Sequence, residues 1–478
     1  MKHPLTIIAL AISLVGCASV GETPTARSSL LSPETLGMAE AAATMPWPEV
    51  RWWQSYGDSE LSRLIDQALA HQPNLHIVEA RLQQAQSAVE GNRAVSGLQV
   101  NASLDMIDQR YSENGLVPKP LAGSIQWNNN AQIGLGWEWD LFGRQSAALE
   151  ASLGQQRAAQ AEAQAAQVLL ASQVAQQYLQ LARLLTLREL SEESLRQRQQ
   201  MQSLVAQRLK AGLDTEVELR QTEGLIAQNQ VEIAQLDESA QRTRHALTEL
   251  CGAGPDRLAA LHPRLSALQA PPLPQGQAGL PADLLGRRAD LVAQRWRVEA
   301  ASKDVDVARA QFYPNINLMA FVGLSSLGLD HFVQAGSLTY GAGPAVRLPL
   351  FDGGRLRANL GARRAEVDAA TEAYNATLLR ALREVADELA SLQSLEQQSQ
   401  AQLQATQAAE AAQGLVMQRY QGGVGSFITV LNVQTNVLNQ RRASAELKAR
   451  QLSASVALSR ALGGGYQLSS TAPAAAQP

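Results

Sequence analysis

The chain has 478 residues, 45% of them hydrophobic, and its 40 Lys and Arg nearly balance 44 Asp and Glu for a net charge of −4. No basic surface for nucleic acid is implied, and six scattered His provide no metal-ligand spacing. Past the N-terminus no apolar run reaches about 18 residues, so a form of this chain that crosses a membrane has to be a β-barrel, because only helices and closed barrels satisfy the backbone in lipid.

Met1-Lys2-His3-Pro4 carries positive charge and leads into the apolar run Leu5 to Val15, which is too short to span a bilayer but right for the core of a secretory signal. The run ends in Leu14-Val15-Gly16-Cys17, which resembles the bacterial lipobox. Residues 1–16 are therefore expected to be a signal peptide. The Cys17 thiolate is expected to take the lipid, palmitate included, and residues 17–60 to form a lipidated N-terminal extension. Ala18 and Ser19 lack the aspartate that holds lipoproteins in the inner membrane, which favours anchoring in outer-membrane lipid. With Cys17 acylated, Cys251 has no disulfide partner in the chain and reads as a small buried apolar residue.

From Leu61 to about Ala94 the period and composition predict a helix, with Leu61, Leu64, Ile65 and Ala68 on one face. The period then falls to two. Every second residue of Val100 to Met106 is apolar, and Ile133, Leu135, Trp137 and Trp139 alternate with Gly134, Gly136, Glu138 and Asp140. That is the apolar-out pattern of a transmembrane barrel strand, with Trp137 and Trp139 as membrane-interface aromatics. Asn315 to Val322 and Tyr340 to Leu348 carry a weaker version. Four strands cannot close a barrel, so the chain has to oligomerise; a dimer with eight strands and a trimer with twelve both remain open on these grounds. Arg144 to about Leu209 reads as one helix, about 100 Å long at 1.5 Å per residue, that returns through a glycine turn at Gly212.

The chain also repeats itself. Val205 to Thr215 recurs as Val416 to Ser426, which sets Gly423 in the place of Gly212, 211 residues later, and Leu141-Phe142-Gly143-Arg144 recurs within Leu350 to Arg355. Each half is expected to hold a helix, a strand pair and a long helical hairpin, over residues 61–251 and 282–462. A Pro/Gly-rich extended connector at 252–281 joins them, and a flexible tail at 463–478 follows.

At Trp137-Glu138-Trp139-Asp140-Leu141-Phe142-Gly143-Arg144 the chain resembles the TolC-type outer-membrane efflux family, in its lipid-anchored NodT-like branch. Gln72-Pro73-Asn74-Leu75, Gly286-Arg287-Arg288-Ala289-Asp290-Leu291, Phe312-Tyr313-Pro314 and Pro349-Leu350-Phe351-Asp352-Gly353-Gly354 carry the same resemblance. It implies a mainly α fold with a small β part: four strands per chain, twelve in a homotrimer, form a transmembrane β-barrel that continues into a long periplasmic α-helical barrel. It further implies a periplasmic adaptor (membrane fusion) protein and an inner-membrane pump as partners, with no cofactor and no catalytic chemistry in the channel itself. By the same resemblance the tunnel narrows where the hairpins turn. Tyr420 matches a gate tyrosine, while Thr429 and Asn432 stand where some members carry aspartates; Asp214, Glu216 and Glu218 on the first turn are the acids that remain. A duct for type I protein secretion and a coiled-coil lipoprotein tether are the competing readings. An enzyme is not, since neither a nucleophile elbow nor a phosphate-binding glycine turn is present.

Overall fold

The computed structural model describes residues 28–32, 36, 47–271 and 284–466. The signal segment, Cys17, most of the N-terminal extension and the end of the tail lie outside the described residues. The elements are α1 (Ser59–His71), α2 (Pro73–Ser96), β1 (Gln99–Arg110), β2 (Ile125–Trp139), α3 (Arg144–Lys210), α4 (Glu216–Leu250), α5 (Ala289–Ala310), β3 (Asn315–Leu327), β4 (Leu338–Arg347), α6 (Arg355–Gln421) and α7 (Phe427–Ala461). The duplication is kept to the residue in the long hairpins, because α3 and α6 each have 67 residues and α4 and α7 each have 35. The described residues form two compact units, one built from residues 28–30, 81–160 and 293–375, the other from those within 31–80, 161–292 and 376–466.

The first unit holds the sheet. Its strands run in the order β1-β2-β3-β4, all antiparallel, so each half contributes one hairpin and the two hairpins meet along β2 and β3. The register lines up Val100 with Leu135, Leu135 with Ala320 and Ala320 with Ala342, and Trp137 with Leu318 and Leu318 with Pro344. Period-two geometry then gives one continuous apolar face that also carries Leu104, Ile133, Trp139, Val322, Tyr340 and Val346, all exposed. The other face carries Asn101, Ser103, Asp105, Gln132, Glu138 and Asn317. Among the described residues nothing pairs with the outer edges of β1 and β4. In the same unit α3 touches α5: a Cβ on Gly154 would stand 2.9 Å from that of Ala300. The Arg157 guanidinium lies 4.5 Å from the centre of the Trp296 ring.

The strands are longer than the alternation predicts. β2 begins at Ile125, eight residues before Ile133, because Asn128-Asn129-Asn130 hides the pattern. Asn129 falls on the apolar face yet is fully buried there, and its amide donates to the Gly328 carbonyl at 3.0 Å.

In the second unit, Leu61, Leu64, Ile65 and Ala68 are fully buried with Trp52, Trp53 and Tyr56 against Leu170 to Leu185 of α3 and Leu452 of α7. Asp58 caps α1: its Oδ1 accepts from the Glu60 and Leu61 amides at 2.8 and 3.1 Å, and its Oδ2 accepts from the Tyr178 hydroxyl at 2.7 Å. The single helix expected from Leu61 to Ala94 is in fact two. Pro73 opens α2 and forces Gln72 into extended backbone. The Gln72 amide then closes the end of α4, donating to the carbonyls of Glu249 and Leu250 at 3.1 and 3.3 Å. Cys251 is buried as expected, its thiol 3.6 Å from the Leu64 carbonyl and pushed up to about 11 by burial, so it is no nucleophile at neutral pH.

Two expected boundaries move. The connector is not wholly extended, since Leu258, Leu261, Leu265 and Leu268, spaced three or four apart, are buried in this core. Nor is the chain loose from 463. A Cβ on Gly463, at φ +96°, would lie 1.8 Å from the Arg287 carbonyl oxygen, and one on Gly465, at φ +78°, would lie 2.2 Å from that of Glu49. Only glycine allows these approaches. Gly463→Ala is expected to cost about 2 kcal/mol or more, read as a lowered thermal midpoint. Gly224→Ala, on open helix surface, should leave the midpoint unchanged or raise it slightly.

Candidate functional site

Both helical hairpins of the second unit turn in the same way. After α3 the Gly212 amide donates to the Leu209 carbonyl at 3.0 Å and the Leu213 amide to that of Arg208 at 2.9 Å; after α6 the Gly423 amide donates to Tyr420 at 3.1 Å and the Val424 amide to Arg419 at 3.0 Å. Each turn is a Schellman cap with glycine at positive φ, +74° and +80°. Past the first turn Thr215 and Glu218 form a capping box, in which Thr215 Oγ1 accepts from the Val217 amide at 3.2 Å and Glu218 Oε2 accepts from the Thr215 amide at 2.9 Å. The Thr215 hydroxyl, which donates to the same carboxylate, together with the backbone amides holds the Glu218 carboxyl below the usual range. Past the second turn the Ser426 and Thr429 hydroxyls pair at 2.8 Å.

Between the two turns sits a three-residue cluster. Tyr420, fully buried, donates its hydroxyl to Asp214 Oδ2 at 2.9 Å. Arg208 reaches the same carboxylate with both nitrogens of its fork, Nε to Oδ2 at 2.9 Å and Nη2 to Oδ1 at 3.3 Å. Its guanidinium also lies 4.6 Å from the centre of the Tyr420 ring. Met201, Val205, Phe427 and Val430 close round the ring. Burial, helped by the bond to Asp214, pushes the Tyr420 phenol up to about 12, so it stays protonated and donates throughout the physiological range. The first hairpin supplies cation and anion, the second the donor, and the bond ties the two hairpins together.

The candidate residues thus divide. Tyr420 and Asp214 come together; Glu218 is spent on a helix cap; Glu216, Thr429 and Asn432 are exposed and take no part in the cluster. Arg208 was not predicted. The repeat held part of the signal, since Gly425 occupies the position that answers to Asp214 and only the first hairpin has the anion. Further along, Arg441 of α7 reaches Glu410 of α6 at 2.7 Å and Glu193 of α3 at 2.8 Å, and Arg442 reaches Ser191 of α3 at 2.9 Å and Glu232 of α4 at 2.6 Å. Adjacent arginines on α7 therefore fasten it to the other three hairpin helices.

On the sheet, Trp137 and Trp139 are exposed on the apolar face as expected, and Trp127, which was not predicted, joins them from the other end of β2. Trp127 and Trp137 are ten residues apart, about 33 Å along a strand, or about 23 Å across a bilayer at 45° tilt. That separation fits two aromatic girdles bounding one apolar band. Among the described residues no group of His, Cys, Asp and Glu is placed to hold a metal ion.

A sheet apolar on one face and polar on the other, in one chain with helical hairpins of this length, defines an outer-membrane channel fold. The model of the outer membrane efflux protein family matches residues 64–253 and 280–464, and the chain belongs to that family. It is 37% identical over 377 residues to the fusaric acid resistance protein FusA of Burkholderia cepacia, covering 77% of this chain and 70% of that protein. It is 32% identical over 474 residues to the multidrug resistance outer membrane protein MdtP of Escherichia coli K12, covering 95% of this chain and 94% of that protein. The crystal structure of the outer membrane protein VceC of Vibrio cholerae superposes with a TM-score of 0.82 at 35% identity, over 88% of this chain and 100% of that one.

Proposed function

We propose that this chain is one subunit of a homotrimeric exit duct in the outer membrane, through which drugs or other small toxic compounds leave a tripartite efflux machine. The observation that carries the reading is the four-stranded sheet with one apolar face and two unpaired edges. An open edge is untenable in lipid, and neighbouring copies supply the missing partners. Three copies give twelve strands, enough for an aqueous lumen lined by the polar face. The small-molecule cargo is supported by the resistance named for FusA and MdtP. A passive duct of this kind docks a periplasmic adaptor, which links it to an inner-membrane pump that supplies the energy.

In the duct the ends of the hairpins form the narrow point, and the Arg208–Asp214–Tyr420 cluster is the latch that keeps it closed at rest. Cys17, the first residue after the signal, carries the lipid anchor. Labelled palmitate should enter the wild-type protein and not Cys17→Ser; equal labelling of both would remove the anchor from the account. For the function itself, deletion of the gene should raise susceptibility to drugs and detergents, and a plasmid copy should restore resistance. A deletion strain with normal susceptibility that fails to secrete one protein would assign the duct to type I secretion instead.

A further inference from the structure

Four apolar side chains stand exposed on the polar face of the sheet: Ile107 and Leu327 on either side of Asn128, and a pair further along β3. Met319 and Phe321 of β3 lie on the side of Asn101, Gln132 and Asn317, and are 52% and 37% exposed. Each has glycine on both neighbouring strands: Gly136 and Gly343 flank Met319, Gly134 and Gly341 flank Phe321. These are the glycines of Gly134-Leu135-Gly136 and Gly341-Ala342-Gly343, whose place in strands bars them from binding phosphate. A Cβ on Gly341 would meet Phe321 Cε1 at 2.8 Å and Cζ at 3.0 Å, so the ring lies down across the Gly341 backbone and presents its other side. Four missing side chains thus clear a floor round one thioether and one ring.

On a lipid-facing surface such a pair would need no explanation. On the face that lines an aqueous lumen it leaves apolar surface in water, open to a passing solute. Resting on the channel reading above, we infer that Met319 and Phe321 form a contact station in the barrel lumen for flat aromatic solutes, and that they set the duct's preference for such cargo over hydrated polar solutes. A ring on the cargo stacks on the free side of Phe321 while the polarisable Met319 sulfur borders it. The glycines leave room for a planar molecule at sheet level, and a trimer places three such stations round one axis.

The test is current block in planar bilayers by two cations added from the barrel side: ethidium, which is planar and aromatic, and spermidine, an aliphatic amine with no ring to stack. Wild-type trimers should be blocked by ethidium, and Phe321→Ser should weaken that block about fivefold while open conductance and spermidine block stay unchanged. Phe321→Tyr should keep the block, and Gly341→Ala, which pushes the ring off its floor, should weaken it with the ring still present. Ethidium block unchanged in Phe321→Ser, or an equal loss for both cations, overturns the inference and leaves the channel standing. A wild-type trimer that carries no current overturns both.

Discussion

Ile133→Arg is expected to abolish assembly in the outer membrane, while Gln132→Arg, one residue away, is tolerated. Ile133 lies half exposed on the apolar face, between Ala102 of β1 and Val322 of β3, and near the midpoint between Trp127 and Trp137. An arginine at the middle of the lipid face of a barrel costs about 2–4 kcal/mol, and a trimer meets that cost three times. The total is comparable to the whole stability of a small domain. Gln132 faces the other way, where an added cation stays hydrated. The readout is the amount of trimer in the outer-membrane fraction. Equal assembly of the two variants would mean that the apolar face does not meet lipid.

The second large effect is at the hairpin turns. Asp214→Asn should raise basal conductance tenfold or more, and Tyr420→Phe should raise it by less. The first change removes the charge that holds Arg208 Nε at 2.9 Å and the Tyr420 hydroxyl at 2.9 Å, stranding a mostly buried guanidinium. The second removes one hydrogen bond to a charged acceptor, worth about 1.5–3 kcal/mol, and leaves the ion pair in place. Both changes are repeated in every subunit, so the shift between closed and open is steep. Glu216→Gln, at an exposed position, should leave the conductance unchanged. Conductance unchanged in Asp214→Asn as well would place the constriction elsewhere in the duct.

The long hairpins were the most legible part of the chain, since helix formers run without proline from Arg144 to Lys210 and the repeat fixes the second hairpin from the first. The strand faces were legible wherever lipid and water alternate, and lost at Asn129, whose partner is a backbone carbonyl 199 residues away. Pro73 was in plain sight, but the apolar period runs through it, and the break matters because Gln72 is needed at the end of α4. The capping box of Thr215 and Glu218 has a spacing that can be read from the sequence, which is why Glu218 belongs to the helix rather than to the lumen. The pairing of Arg208 and Asp214 with Tyr420 joins residues 206 apart between two turns. No periodicity encodes such a contact; Tyr420 was singled out only through the family resemblance, and Arg208 not at all.

The central claim is that three copies of this chain close one barrel and conduct. The most direct measurement is the mass of the detergent-extracted protein together with its single-channel current in planar bilayers. The account predicts a trimer that inserts and carries current, with larger steps from Asp214→Asn. A monomer or dimer that stays soluble without detergent and carries no current would contradict it, and would make the apolar face of the sheet a protein contact instead of a lipid one.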